Sequence, residues 1–137
     1  LAVVDLEEPK TVTPEVLEQR LHCLQMNGRE IFKLAVNAMV GAAERTLAAA
    51  GLTADDVRWL VPHQANTRII CAVGKRLGIP EERVFMNLQN YGNTSAATIP
   101  ICLDEIARAG QVTSGDILLL VAFGGGLTWG AALLRWP

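Results

Sequence analysis

Apolar residues along the 137-residue chain alternate between helical and strand spacing. Thr13 followed by Pro14 reads as a helix cap with proline in the first turn, opening a helix to about Gln25. Asn27 and Gly28 break it. Beyond them Ile31, Leu34, Ala35, Ala38, Met39, Ala42 and Leu47 recur on one helical face, which predicts a long Ala-rich helix ending near Gly51. Residues 57–61 form a short β-branched run closed by Pro62 and read as a strand. A helix is expected over 66–77, with Ile69, Ile70, Val73 and Leu77 facing inward and Gly78 closing it. A second strand is expected over 84–88. Thr94 and Ser95 are expected to cap a helix running to about Ala109, bent in its first turns by Pro100. Residues 116–123 are the most hydrophobic run and suit a strand covered on both faces. Gly124, Gly125 and Gly126 interrupt it, and 128–136 resumes as a strand antiparallel to it.

This order predicts an α/β fold, a mixed and mostly parallel sheet covered by helices. The length suits one domain, or one lobe of a larger one, on a scale of about 150 residues per domain. Half of the residues are hydrophobic, enough for a core, and the charge is 12 basic against 14 acidic, a net of -2. That balance argues against a disordered chain or one that coats nucleic acid. No apolar run approaches the roughly 20 residues of a membrane-spanning helix. The start, LAVVDLEEPK, lacks the basic and apolar regions of a secretory signal. It also lacks an initiator Met, so the chain reads as a cut piece of a longer protein. Cys23, Cys71 and Cys102 form no CxxC, sit in apolar periodic segments and read as reduced core thiols, which fits a cytoplasmic protein. His22 and His63 supply no zinc spacing, and no metal is expected.

Ligands of open α/β sheets bind beyond the carboxyl ends of the strands, where helix N-termini point. Three loops are expected to meet there: PHQAN with His63 and Asn66, NYGNTSAA with Asn93, and the glycine triplet. Read singly, His63 fits a satisfied structural histidine, Asn93 a turn or cap residue, and the triplet a hairpin. The triplet has neither GxGxxG spacing nor a following lysine, so it is no nucleotide fingerprint. Together, an imidazole, a carboxamide and bare backbone N–H groups form a set for stabilising negative charge on a carbonyl oxygen. A nucleophile is missing from the set, because none of the cysteines is expected to start a helix.

The segments VPHQANTRII, NYGNTSAATIP and LLLVAFGGGLTWGAALLRW, in this order, resemble the C-terminal half of β-ketoacyl-acyl-carrier-protein synthase III, a thiolase-fold condensing enzyme, over residues 26–136. The resemblance implies a Cys-His-Asn triad in which His63 and Asn93 are catalytic. The nucleophilic Cys belongs to an N-terminal lobe absent from this chain. It implies acyl transfer without a bound cofactor: an acyl group taken from acyl-CoA, acetyl-CoA by expectation, is condensed with malonyl-acyl carrier protein as carbon dioxide leaves, which starts fatty acid synthesis. Elongating relatives use two histidines, so Asn93 points to the initiating type. Gly125 matches the residue whose backbone N–H polarises the acyl-enzyme carbonyl. Met26, Gly28, Phe32 and Asn66 match residues along the pantetheine channel, although Phe32 is equally readable as core. Gln64, Ala65, Asn66, Thr67 and Arg68 match the stretch that meets the carrier protein, and Lys33, Arg29, Lys75 and Arg76 extend a basic rim. The complete protein is expected to be a homodimer. Related readings are a starter synthase of polyketide or quinolone type and a non-catalytic isolated lobe.

Overall fold

A computed structural model describes residues 13–20 and 27–137, so His22, Cys23 and Met26 lie outside the described residues. Helix α1 (Pro14–Glu18) starts as expected, with Thr13 Oγ1 accepting the Val16 N–H at 3.3 Å. It ends well before Gln25, because Arg20 adopts a left-handed φ of 53° that a right-handed helix cannot continue. Helix α2 (Gly28–Ala49) is capped by the Asn27 side chain, which accepts the Glu30 N–H at 3.4 Å.

The expected inner face of α2 is partly corrected. Val36, Met39, Val40, Ala43 and Leu47 form the stripe packed on the sheet, whereas Leu34 is 47% exposed on the opposite side. An Ala-rich helix with apolar residues on two sides satisfies more than one face at helical spacing, and docking on β2 and β3 decides which one is buried.

Strand β1 (Val57–Pro62) pairs in parallel with β2 (Ile117–Gly124), and β2 pairs antiparallel with β3 (Thr128–Arg135). The sheet is mixed, in the order β1-β2-β3. Side chains of β2 alternate: Leu119 and Val121 join the core under α2 and α3 (Thr67–Leu77), while Leu118 joins the core under α5 (Thr98–Arg108). On β1 a register irregularity between Val57 and Trp59 shifts this parity, so that Val57 and Leu60 face α2 while Val61 faces α5. Both faces of the sheet are therefore covered.

The strand expected over 84–88 does not form. Only an isolated parallel bridge, Leu60 to Val84, is made, with Phe85 N–H donating to Leu60 O at 2.9 Å. The backbone N–H groups of Asn87 and Leu88 then turn to a side chain, Gln64 Oε1, at 3.1 and 3.2 Å, and a short helix α4 (Leu88–Tyr91) follows. Side-chain acceptance replaces the ladder. Thr94 and Ser95 make no side-chain cap either. Residues 95–97 form a 3₁₀ turn in which Ser95 has φ 52°, and α5 begins only at Thr98. Pro100 therefore sits in the first helical turn, where its missing N–H has no intrahelical acceptor to lose.

Gly74 on α3 faces Val84, and a Cβ built there would lie 2.6 Å from Val84 Cγ2. Alanine favours a helix over glycine by about 1 kcal/mol, while overpacking of a stiff β-branched neighbour costs about 1–3 kcal/mol. Gly74→Ala is expected to lower stability in denaturant unfolding by about 1 kcal/mol, the balance of the two effects. Equal or higher stability would show that α3 and the Val84 segment separate freely.

Candidate active site

The carboxyl end of the sheet opens into a cleft of about 1570 Å³. Its walls come from the start of α2, the loop after β1, the loop before α5 and the β2–β3 hairpin. The three loops expected to converge do so: His63, Asn93 and Gly125 all line this cleft. So do Gly28, Phe32, Lys33, Ala65, Asn66 and Arg68.

His63 is placed by the sheet. Its backbone N–H donates to Val121 O at 2.8 Å, carrying the β1–β2 pairing one residue past the strand. Its Nδ1 lies 2.7 Å from Thr98 Oγ1, and that hydroxyl also donates to Ser95 O at 3.0 Å. Burial holds the imidazole below its ordinary pKa of 6.5, because the charged form loses hydration there. Asn93 is exposed, and its Oδ1 accepts the Ser95 N–H at 3.0 Å. That bond commits the carboxamide oxygen and leaves the amide Nδ2–H₂ as the free donor of the side chain. Gly125 stands at the hairpin tip, its carbonyl accepting from Thr128 Oγ1 at 3.0 Å.

Gln64 is corrected. It is 1% exposed, and its carboxamide is fully used: Nε2 donates to Pro62 O and Phe85 O at 2.8 and 3.2 Å, and Oε1 accepts from Asn87 and Leu88. It has no surface to offer a carrier protein. It fastens the segment leading to Asn93 beside His63. Asn87 extends the same network, donating to Glu105 Oε2 at 2.8 Å and accepting from Cys102 Sγ at 3.3 Å.

Phe32 is half-buried against the α2 core, and the Arg68 guanidinium lies 5.6 Å from the centre of its ring, so it serves both the core and the cleft wall. Asn66 caps α3 by accepting the Arg68 N–H at 2.9 Å. Lys33 faces Glu30 at 3.8 Å. Thr67, Lys75 and Arg76 are exposed but lie outside the cleft lining, and the Arg76 guanidinium is hydrogen-bonded to Asn37 on α2. Met26 lies outside the described residues.

Cys102 is buried as expected, and burial, with help from the Glu105 charge, pushes its thiol pKa up to about 11, a value at which the nucleophilic thiolate is scarce. Cys71 is exposed instead of core, because it lies about 100° round α3 from buried Ile70. Neither thiol lines the cleft. Thr98, 3% exposed, escaped the sequence reading. The only available signal was a threonine one helical turn beyond Ser95 in TSAAT, a spacing at which a hydroxyl bonds back to a turn carbonyl.

Residues 47–136 match the family model for the C-terminal part of 3-oxoacyl-[acyl-carrier-protein] synthase III. The chain belongs to this family. Beta-ketoacyl-[acyl-carrier-protein] synthase III of Desulfotalea psychrophila is 54% identical over 113 residues, covering 82% of this chain and 35% of that protein. The crystal structure of 3-oxoacyl-[acyl-carrier-protein] synthase III from Aquifex aeolicus superposes with a TM-score of 0.80 at 53% identity, covering 82% of this chain and 36% of that one. The priming β-ketosynthase of the R1128 polyketide pathway superposes at 0.77 with 38% identity, over 90% of this chain and 38% of its own. The chain thus spans little more than a third of the length of these relatives. The thiolase-like α/β fold follows from these superpositions.

Because folding lowers the His63 pKa, the unfolded chain takes up a proton that the folded chain refuses once pH falls below 6.5. This contribution to stability is complete above 6.5 and is lost as pH falls toward the depressed folded value. Denaturant midpoints at about pH 7.5 and about pH 5.5 are expected to differ less in His63→Gln than in the parent protein. An equal fall in both would place the lowered pKa elsewhere.

Proposed function

We propose that this chain is the C-terminal lobe of a β-ketoacyl-acyl-carrier-protein synthase III. In this reading the complete enzyme is a cytoplasmic homodimer. It condenses an acyl-CoA, preferably acetyl-CoA, with malonyl-acyl carrier protein to initiate fatty acid synthesis, coenzyme A entering as a thioester substrate. The observation that carries the reading is the pairing of His63 and Asn93 on one cleft, where burial favours the neutral imidazole and the Asn93 amide N–H₂ is free to donate.

The malonyl thioester oxygen would sit between His63 Nε2–H and Asn93 Nδ2–H. As the bond to the carboxylate breaks and carbon dioxide leaves, the electron pair moves into the thioester as an enolate, whose oxygen both donors stabilise. The carbonyl re-forms as the α-carbon attacks the acyl thioester. The Gly125 N–H would hold the oxygen of that second, tetrahedral centre until it collapses and expels the thiolate. A glycine there leaves the backbone N–H open to close approach. The acyl-bearing cysteine comes from outside these 137 residues, in keeping with a cleft that neither Cys71 nor Cys102 lines.

At the mouth, Arg29, Lys33 and Arg68 line the cleft and set positive charge where a phosphate-bearing arm and an acidic carrier protein would approach. Ala65, Asn66 and Thr67 are exposed beside them, and Gly28 and Phe32 would border the pantetheine arm. A polyketide starter synthase is the second reading, favoured by the superposition on the R1128 priming enzyme. It would use the same His63 and Asn93 chemistry with a different acyl group.

His63→Ala and Asn93→Ala in the complete protein that carries this chain are each expected to slow malonyl decarboxylation about 10²–10³-fold, near 3 kcal/mol of transition-state stabilisation. Undiminished decarboxylation in either variant would remove that residue from the enolate site. Activity in the parent protein at background level would leave the non-catalytic lobe.

A further inference from the structure

Thr98 has one hydroxyl hydrogen and two neighbours able to accept it. Ser95 O lies 3.0 Å away and His63 Nδ1 2.7 Å away. With the hydrogen on Ser95 O, the contact to His63 is a hydrogen bond only if Nδ1 carries a proton and donates to Thr98 Oγ1. A neutral ring then presents a bare Nε2, an acceptor, to the cleft. If the hydroxyl turns onto Nδ1, Nε2 must carry the hydrogen and becomes a donor. Ser95 O is not stranded by the turn, since it also accepts the backbone N–H of Thr98.

We propose that Thr98 is the positioning residue that sets the tautomer of His63, its hydroxyl rotation deciding whether the cleft meets an Nε2 acceptor or an Nε2–H donor. The resting protein holds the Nδ1–H form. An oxygen arriving in the cleft selects the other: a proton leaves Nδ1 for water, one from water reaches Nε2, and the hydroxyl swings from Ser95 O to Nδ1. Thr98 is 3% exposed and stands at the first position of α5, and rotation about its C–O bond moves the hydrogen from one acceptor to the other. The same turn aligns the second donor, because Ser95, held at φ 52°, gives its N–H to Asn93 Oδ1. The catalytic consequence rests on the proposed enolate site, while the resting tautomer does not.

The two are tested separately in the complete protein labelled with ¹⁵N-histidine. The ¹⁵N shifts of His63 without substrate are expected to show Nδ1–H in the parent and in Thr98→Ser, which keeps the hydroxyl. In Thr98→Val, of nearly the same shape, they should move toward Nε2–H, the form that free imidazole side chains favour. An Nε2–H resting ring in the parent, which needs no variant, or an unchanged tautomer in a folded Thr98→Val, would overturn the proposal. In malonyl decarboxylation, Thr98→Val gains the donor tautomer but loses the bond that orients the ring, so kcat is expected to fall about tenfold from lost positioning with KM little changed, and Thr98→Ser to recover it. A parent protein without decarboxylation would fail the enolate reading and leave the tautomer result standing.

Discussion

The 2.7 Å contact between His63 Nδ1 and the Thr98 hydroxyl joins two parts of the molecule that reach the cleft independently. His63 arrives from the sheet, tied to Val121 by its backbone, and Thr98 opens the helix that covers the opposite face of that sheet from α2. Through Ser95 the contact extends to Asn93, whose carboxamide oxygen the Ser95 N–H occupies. Each bond in this run uses the end of a side chain that would otherwise compete for the ligand. What remains facing the cleft is one imidazole nitrogen and one amide N–H₂.

The core makes that arrangement stiff. Leu118 and Leu119 point to opposite layers, so any shift of β2 along its axis is felt by α2 and α5 together. Gln64 performs the same office for the loops. Its four hydrogen bonds substitute for a strand over 84–88 and hold the chain that leads to Asn93 against the residue beside His63. A buried carboxamide with every donor and acceptor engaged rigidifies a loop that has few backbone partners of its own.

The elements that periodicity and glycine punctuation specify locally were legible: α2, β1, α3 and the β2–β3 hairpin fall within a few residues of their expected bounds. So was the meeting of His63, Asn93 and the glycine hairpin, although strand direction places only His63 and the hairpin, and Gln64 holds the segment that carries Asn93. Apart from the left-handed residues Arg20 and Ser95, which end α1 and delay α5, the failures depended on a side chain acting on backbone far along the chain, or on a face chosen by tertiary packing. Residues 84–88 have strand composition, yet Gln64, more than twenty positions earlier, takes the N–H groups of Asn87 and Leu88. Leu34 and Cys71 lie at acceptable helical spacing, but packing against the sheet buries a different side of each helix. Ser95 in a left-handed conformation moves the start of α5 to Thr98, and nothing in TSAAT announces it except the hydroxyls themselves.

The most direct measurement is a crystal structure of the complete protein with a non-decarboxylating malonyl-thioester analogue bound. The expected result is a thioester oxygen within about 3.1 Å of both His63 Nε2 and Asn93 Nδ2, with His63 Nδ1 still on Thr98 Oγ1. An oxygen held by neither nitrogen, with His63 turned away from Thr98, would contradict the reading of this cleft as an enolate site.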